Sequence, residues 1–223
     1  MVVLTKRSPV LGGWIAFGLG CAFATGIAVA ICSEALRAPG LFLACLGFYH
    51  LWEWSFVALF HPERLTSDSF LINHSVAWGI AWSFCILEYC IEYFFFPALK
   101  KSPGFIVAGI VGVVIGQFFR TAAMYTAGSN FDHKIEKNKR EGHVLITHGV
   151  YAFSRHPSYF GWYIWAISTQ ILLANPISFV GFLCVIWYFF HSRIRFEENC
   201  LVRMFGEEYN EYAKRVPTRI PFI

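Results

Sequence analysis

Three imidazoles, His143, His148 and His156, fall within fourteen residues of one polar stretch, Gly142 to Tyr163, set between two strongly apolar regions. At its end Arg155-His156-Pro157 abuts the start of an apolar helix. Proline suits the first helical position, where its missing N–H costs nothing. The unpaired N–H groups just after it form a local anion site. Tyr151 and Tyr159 add donors and aromatic faces. A metal centre needs short fixed spacings and closing ligands, and spacings of five and eight on a loop do not supply them, so no metal is expected. Further on, Arg193 and Glu197 stand four apart and share a helix face. The planar fork of Arg193 matches a carboxylate, and Glu197 is able to accept from a cationic or hydroxyl-bearing ligand. A surface salt bridge between the two is the plainer alternative. Arg195 and Glu198 read as solvated residues. Neither a GxGxxG nor a Walker sequence is present, and no nucleic-acid partner is expected. These residues point to a membrane enzyme that handles anionic ligands at the cytosolic face.

The elements that must position them are helical and membrane-bound. The 223 residues are 57% hydrophobic and only 14% charged, against roughly 25% charged in soluble domains. Apolar runs approaching or exceeding about 18 residues, the length that spans a bilayer, recur at Val10–Cys32, Ala38–Phe60, Phe70–Pro97 and Phe105–Ala127. The first is too long for a signal-peptide core and reads as a span. The third is long enough to demand tilt or protrusion. Tyr159–Ala174 and Ile177–His191 flank the turn dipeptide Asn175-Pro176 and predict a short helical hairpin. The expected fold is therefore all-α: a polytopic membrane protein of about six transmembrane helices, with a cytosolic loop and an amphipathic C-terminal helix. Six crossings place 14 Lys and Arg residues on the side holding both termini and the 128–158 loop, against three on the other. The positive excess assigns that side to the cytosol. In the tail, Leu201, Phe205, Tyr209, Tyr212 and Val216 form a helical stripe, weakened at Gly206 and ended by Pro217, that is expected to fold back over the 142–163 stretch. Inside the spans, His50, Glu53, Glu88, Glu92, Gln117 and Arg120 are costly in lipid. They read either as functional groups, with Gln117 and Arg120 lining a substrate cavity, or as interhelical pairs such as Arg120 with Glu88 or Glu92. The seven cysteines contain no CxxC pair and read as small buried apolar residues.

The stretch GHVLITHGVYAFSRHPSYFGW, followed by RFEENCLVRMFGEEYNEYAKRVPTRIPF, resembles the isoprenylcysteine carboxyl methyltransferases. The resemblance extends upstream through Asp68–His74 and Ala123–Phe131 and covers most of the chain from about residue 65. It implies methylation, from S-adenosyl-L-methionine, of the C-terminal prenylcysteine carboxylate of CaaX-processed proteins in the endoplasmic reticulum membrane. Residue by residue, it implies cofactor contacts at His143, Val144, Leu145, Ile146, Tyr151, His156, Pro157, Ser158, Tyr159 and Glu197, with Glu136 a further candidate. Arg193 is implied to bind the substrate carboxylate. Residues 1–127 are expected to form the lipid-substrate side, and 128–223 the cofactor loop, hairpin and C-terminal helix of one catalytic unit.

A chain-terminal carboxylate, with a reference pKa of about 3.3–3.7, is already anionic at neutral pH, so the reaction needs positioning more than a general base. The prenyl group is expected to arrive sideways from the bilayer and the soluble donor from the cytosol. Two other classes remain on the sequence alone. Membrane sterol reductases share a similar RHPxYxG region and bind NADPH, but favour an acid where Trp162 stands here. A scaffold or channel would leave the His-rich loop and the Arg193/Glu197 face without a purpose.

Overall fold

A computed structural model describes residues 5–72 and 76–223; Asn73 and His74, which close the upstream stretch of the resemblance, lie outside the described residues. Among the described residues there is no strand. Eight α-helices follow one another among the described residues: α1 (Pro9–Cys32), α2 (Arg37–Phe60), α3 (Val76–Phe95), α4 (Pro97–Lys100), α5 (Pro103–Ala127), α6 (Pro157–Leu172), α7 (Pro176–Phe205) and α8 (Glu207–Arg215). The segments α1, α2, Pro103–Asn130 and α7 are long and apolar enough to cross a membrane. On α1, Trp14, Phe17 and Ile31 are 66%, 65% and 75% exposed. Large side chains bared to that degree suit a lipid surround rather than water.

Helices α3 and α6, the other two expected crossings, have 20 and 16 residues. The third apolar run does not form the single long helix that its length suggested. A 3-10 turn occupies Ser67–Phe70 and ends at Leu71 with φ 58°, and Pro97 opens the separate helix α4. The continuous helix within the run is therefore α3, of 20 residues, and Pro97, which lacks a backbone donor, opens the next element at the end of the run.

The chain forms two compact units, Met1–Val111 with Ser168–Phe179, and Gly112–Ile167 with Val180–Ile223. In the first, His50 Nδ1 lies 2.8 Å from the Phe70 carbonyl and ties α2 to the turn after it. The α6–α7 turn is held by buried charges. Lys100, only 2% exposed, donates to the carbonyls of Leu173 and Ala174 at 3.0 and 2.9 Å and to Asn175 Oδ1 at 2.7 Å. Glu92 supplies the counter-charge 2.7 Å away. Both oxygens of Glu88 accept from the first free N–H groups of α7, Ile177 N and Ser178 N, each at 2.7 Å. A carboxylate there satisfies orphan donors and complements the helix dipole. The acids that were candidates to pair with Arg120 are thus committed to Lys100 and to a helix end. Lys100, one of the three basic residues that the charge count places on the side opposite the termini, is buried.

In the second unit α5 and α6 touch backbone to backbone. A Cβ at Gly116 would lie 2.6 Å from the Gly161 carbonyl, and one at Gly161 2.5 Å from Arg120 N. No larger residue fits at either position. The expected tail helix is broken where Gly206 adopts φ 57°, so Leu201 and Phe205 close α7 while Tyr209 and Tyr212 sit buried on α8.

Replacing Lys100 with Met removes the cation from a buried pair and leaves Glu92 and three acceptors unmet. The expected loss is about 3–5 kcal/mol of unfolding free energy, read by denaturant or thermal unfolding in detergent. Lys101→Met, at an exposed neighbour, is expected to stay within about 0.5 kcal/mol of wild type.

Candidate functional site

The polar stretch is built as a loop sewn under the tail of the same unit. Ser154 Oγ donates to the Thr218 carbonyl at 2.7 Å, and Arg155 N to that of Pro217 at 3.1 Å. Arg155 Nη1 reaches the Val216 carbonyl at 3.0 Å. Tyr212 donates its hydroxyl to the Tyr151 carbonyl at 2.7 Å, and Trp187 on α7 its indole N–H to Pro221 at 2.7 Å. The tail therefore folds back over the loop, as its apolar stripe predicted, although it does so after a break at Gly206.

At the centre stands Glu198. Its Oε1 accepts from Arg155 Nε and lies 3.2 Å from His156 Nε2 and 3.4 Å from the Tyr209 hydroxyl. Burial opposes ionisation of this carboxyl, but the hydrogen bonds and charges of His156 and Arg155 outweigh burial and hold it at about 2. An ionised carboxylate only accepts, so Nε2 carries the hydrogen of that pair. This corrects the reading of Glu198 as a solvated residue. The sequence signal for this contact is the doublet of acids: consecutive helix positions lie about 100° apart, so both can face a loop laid across a broad helix surface.

Glu197, one residue earlier, keeps its Oε2 buried without a hydrogen-bond partner, 3.8 Å from His156 Nδ1. Arg193 does not spend itself on Glu197. Its Nε donates to the Tyr159 hydroxyl at 2.8 Å and its Nη2 to the His133 carbonyl at 2.7 Å. The guanidinium also lies 5.3 Å from the Tyr159 ring centroid and 5.8 Å from that of Phe189. Two of its five N–H groups are used, and the others face no acceptor among the described residues. Tyr159 stacks on His156 with centroids 5.5 Å apart. One connected set thus runs Arg193–Tyr159–His156–Glu198–Arg155. His133 joins this set through its backbone carbonyl, which no side-chain pattern marks in a sequence.

The remaining predicted residues are distributed as follows. Pro157 and Ser158 are buried at the start of α6, where Ser158 Oγ accepts from Arg120 Nη1 at 2.6 Å. Arg120 is 6% exposed and thus serves the loop end. The anion site expected around Pro157–Tyr159 is smaller than supposed: Tyr159 N and Phe160 N both bond the His156 carbonyl, at 3.1 and 3.0 Å. Tyr151 lies in a 3-10 turn, and burial pushes its phenol above the usual range. Val144 N donates to Asn130 Oδ1 at 3.0 Å, while Leu145 and Ile146 are half-buried beside it in sequence. His143 packs edge-on against Phe205 with centroids 5.4 Å apart. Burial first, then the Arg140 charge, lowers its pKa, and its buried Nδ1 has no hydrogen-bond partner. Glu136 pairs with Arg140 at 3.4 Å. His148 is exposed, and among the described residues no three His, Cys, Asp or Glu side chains are grouped to hold a metal ion.

Residues 107–203 match the family model described as isoprenylcysteine carboxyl methyltransferase. A protein-S-isoprenylcysteine O-methyltransferase of Dictyostelium discoideum is 45% identical over 98% of this chain and 92% of its own length. The Homo sapiens protein of the same name is 43% identical over 92% of this chain and 72% of its own. The solved structure of a eukaryotic intramembrane Ras methyltransferase superposes with a TM-score of 0.89 at 39% identity, over 92% of this chain and 74% of that one.

The low value of Glu198, about 2 against an ordinary 4.5, sets the sign of a pH effect. The stability it contributes is complete above 4.5 and is lost as pH falls toward 2. The gap in melting temperature between wild type and Glu198→Gln is therefore expected to be constant above pH 5 and to shrink steadily below 4.5. A gap that does not change between pH 6 and pH 3 contradicts this assignment.

Proposed function

The chain belongs to the isoprenylcysteine carboxyl methyltransferase family, and from that membership we propose that it methylates the prenylcysteine carboxylate of CaaX-processed proteins with S-adenosyl-L-methionine as donor. The observation that carries the reading is the state of Arg193. The guanidinium is oriented by Tyr159 and the His133 carbonyl, yet retains N–H groups free for a second, anionic partner. A bidentate fork is suited to a carboxylate, and the substrate brings one at neutral pH without a general base.

The donor side rests on two buried atoms. Glu197 Oε2 and His143 Nδ1 lack hydrogen-bond partners, which fits groups that await a polar, partly cationic ligand. His143, Val144, Leu145, Ile146, Tyr151, His156, Pro157, Ser158, Tyr159 and Glu197 would hold the donor, with Glu136 at the margin. When bound, S-adenosyl-L-methionine supplies an electrophilic sulfonium methyl group. The chain's own part is to orient. Arg193 would hold the substrate carboxylate, Glu197 would be among the residues that hold the donor, and the tail laid over the loop would limit access of water. Proximity and alignment of this kind account for large rate factors without acid–base chemistry. The reading extends to an endoplasmic reticulum location with the site facing the cytosol, as the basic bias of the loops supports. It also includes entry of the prenyl group from the bilayer.

The test is methyl transfer from labelled S-adenosyl-L-methionine to N-acetyl-farnesylcysteine by the purified protein. Wild type is expected to transfer. Arg193→Ala is expected to lose about 10- to 100-fold in kcat/KM, the worth of a charged hydrogen bond of roughly 1.5–3 kcal/mol, while donor binding persists. Equal transfer by both sinks the role of Arg193, and NADPH binding without transfer sinks the reaction.

A further inference from the structure

A cavity of about 450 Å³ is lined by Lys137, Asn138, Lys139, Arg203 and Met204, none of which the proposed reaction uses. Its three cations form no ion pair among the described residues. Arg203 Nη2 donates to Cys200 Sγ at 3.1 Å, and the Lys139 ammonium lies 4.8 Å from the centroid of the Phe205 ring. Of the acids close to these residues in sequence, Glu136 pairs with Arg140 at 3.4 Å and Glu207 accepts from Asn210 at 3.1 Å. The cavity therefore presents three positive charges with no protein counter-ion.

Its place along α7 suggests what those charges meet. Arg193 and Arg203 are ten residues apart on one continuous helix, about 15 Å along the axis and within roughly 80° around it. The 133–139 segment flanks the same interval, with the His133 carbonyl on Arg193 and Lys137 and Lys139 at the cavity. On the reading above, the prenyl group lies in the bilayer and its carboxylate on Arg193. The peptide N-terminal to the cysteine must then leave toward water, the direction that α7 takes beyond His191. An extended peptide advances about 3.3–3.6 Å per residue, so the residue that reaches the cavity is about the fourth or fifth before the prenylcysteine.

We propose that Lys137, Lys139 and Arg203 form a specificity site that favours substrates with acidic residues about four to five positions upstream of the prenylcysteine and disfavours basic ones there. The inference rests on the proposed reaction and concerns binding, not the chemical step. Complementary charge at a solvated rim acts on association and is weakened by salt.

The experiment uses the full chain in nanodiscs of zwitterionic lipid, with farnesylated peptides that carry Glu, Gln or Lys at the fourth and fifth upstream positions. N-acetyl-farnesylcysteine, too short to reach the cavity, reports intrinsic activity. The wild type is expected to show similar kcat for all peptides. KM is expected to be about five- to tenfold lower for Glu than for Lys at low salt, the size of two exposed pairs, and the difference to fade in 0.5 M salt (roughly a 4 Å Debye length). The Lys137→Glu, Arg203→Glu double variant is expected to reverse the order. Equal KM values in a wild type that methylates the short substrate overturn the inference and leave the proposed reaction standing. An unchanged order in an active double variant overturns the assignment to these residues. Failure of the wild type on N-acetyl-farnesylcysteine overturns the reaction itself. Should the double variant be inactive on the short substrate, the wild-type KM order and its salt dependence decide alone.

Discussion

One oxygen atom, Oε1 of Glu198, organises the candidate site. It collects Arg155 and His156 from the loop and lies within 3.4 Å of the Tyr209 hydroxyl on α8. The loop, α7 and α8 thereby meet at one charge. Remove that charge and Arg155 and His156 are left half-buried or buried with unmet donors, which costs more than the pair contributes when intact. Because His156 stacks on Tyr159, and Tyr159 in turn takes the Arg193 Nε bond, the orientation of the proposed carboxylate-binding group is inherited from a residue that need not touch the substrate. Glu197 and Glu198 then separate by role: one is saturated by protein donors, the other keeps a buried oxygen unmatched.

Helix class, the Asn175-Pro176 hairpin and the folded-back tail were all legible in the sequence, because each rests on a local signal: apolar length, a turn dipeptide, a three-four stripe. The placement of individual charges was not. Glu198 read as solvated because helix spacing says which residues share a face but not what lies across from it. His133 had no side-chain signature, since it contributes through its carbonyl. The anion site expected at Pro157 illustrates the same limit. Proline predicted the helix start correctly, yet whether the following N–H groups stay free depends on the loop conformation, and here the His156 carbonyl takes two of them. The Phe70–Pro97 run shows a different failure: an apolar window does not reveal where a helix stops when the residues beyond the stop remain apolar.

Polar groups within the apolar helices divide along physical lines. In the first unit Lys100 meets Glu92 and Asn175, and Lys100 and Glu88 close the backbone groups of a tight turn. Buried ions there do what water does at a solvated helix end, closing donors and acceptors that a turn exposes. Such a group needs no ligand to explain it. Buried atoms without a hydrogen-bond partner occur in both units, among them the Tyr89 hydroxyl and Ser178 Oγ in the first, and what sets the second apart is where they lie. Glu197 Oε2 and His143 Nδ1 are buried without partners, and Arg193 holds unused N–H groups beside an aromatic wall. Native proteins leave few such atoms unmatched, and these two belong to residues that the family resemblance marks.

The division also explains why α7 carries the most consequential residues of the chain. Up to His191 its sequence is apolar; from Arg193 it bears Arg193, Arg195, Glu197, Glu198 and Arg203 within eleven residues. An amphiphilic substrate has its own apolar end, carboxylate and hydrated peptide in fixed order. A single rigid helix that passes from an apolar to a charged sequence can present matching groups in that same order, with spacings set by a rise of about 1.5 Å per residue. A loop could supply the same side chains but not the fixed intervals between them. On the proposed reaction, the length of α7 beyond its apolar part would serve as a ruler for the substrate, with Arg193 at the point where the lipid would end and the peptide begin.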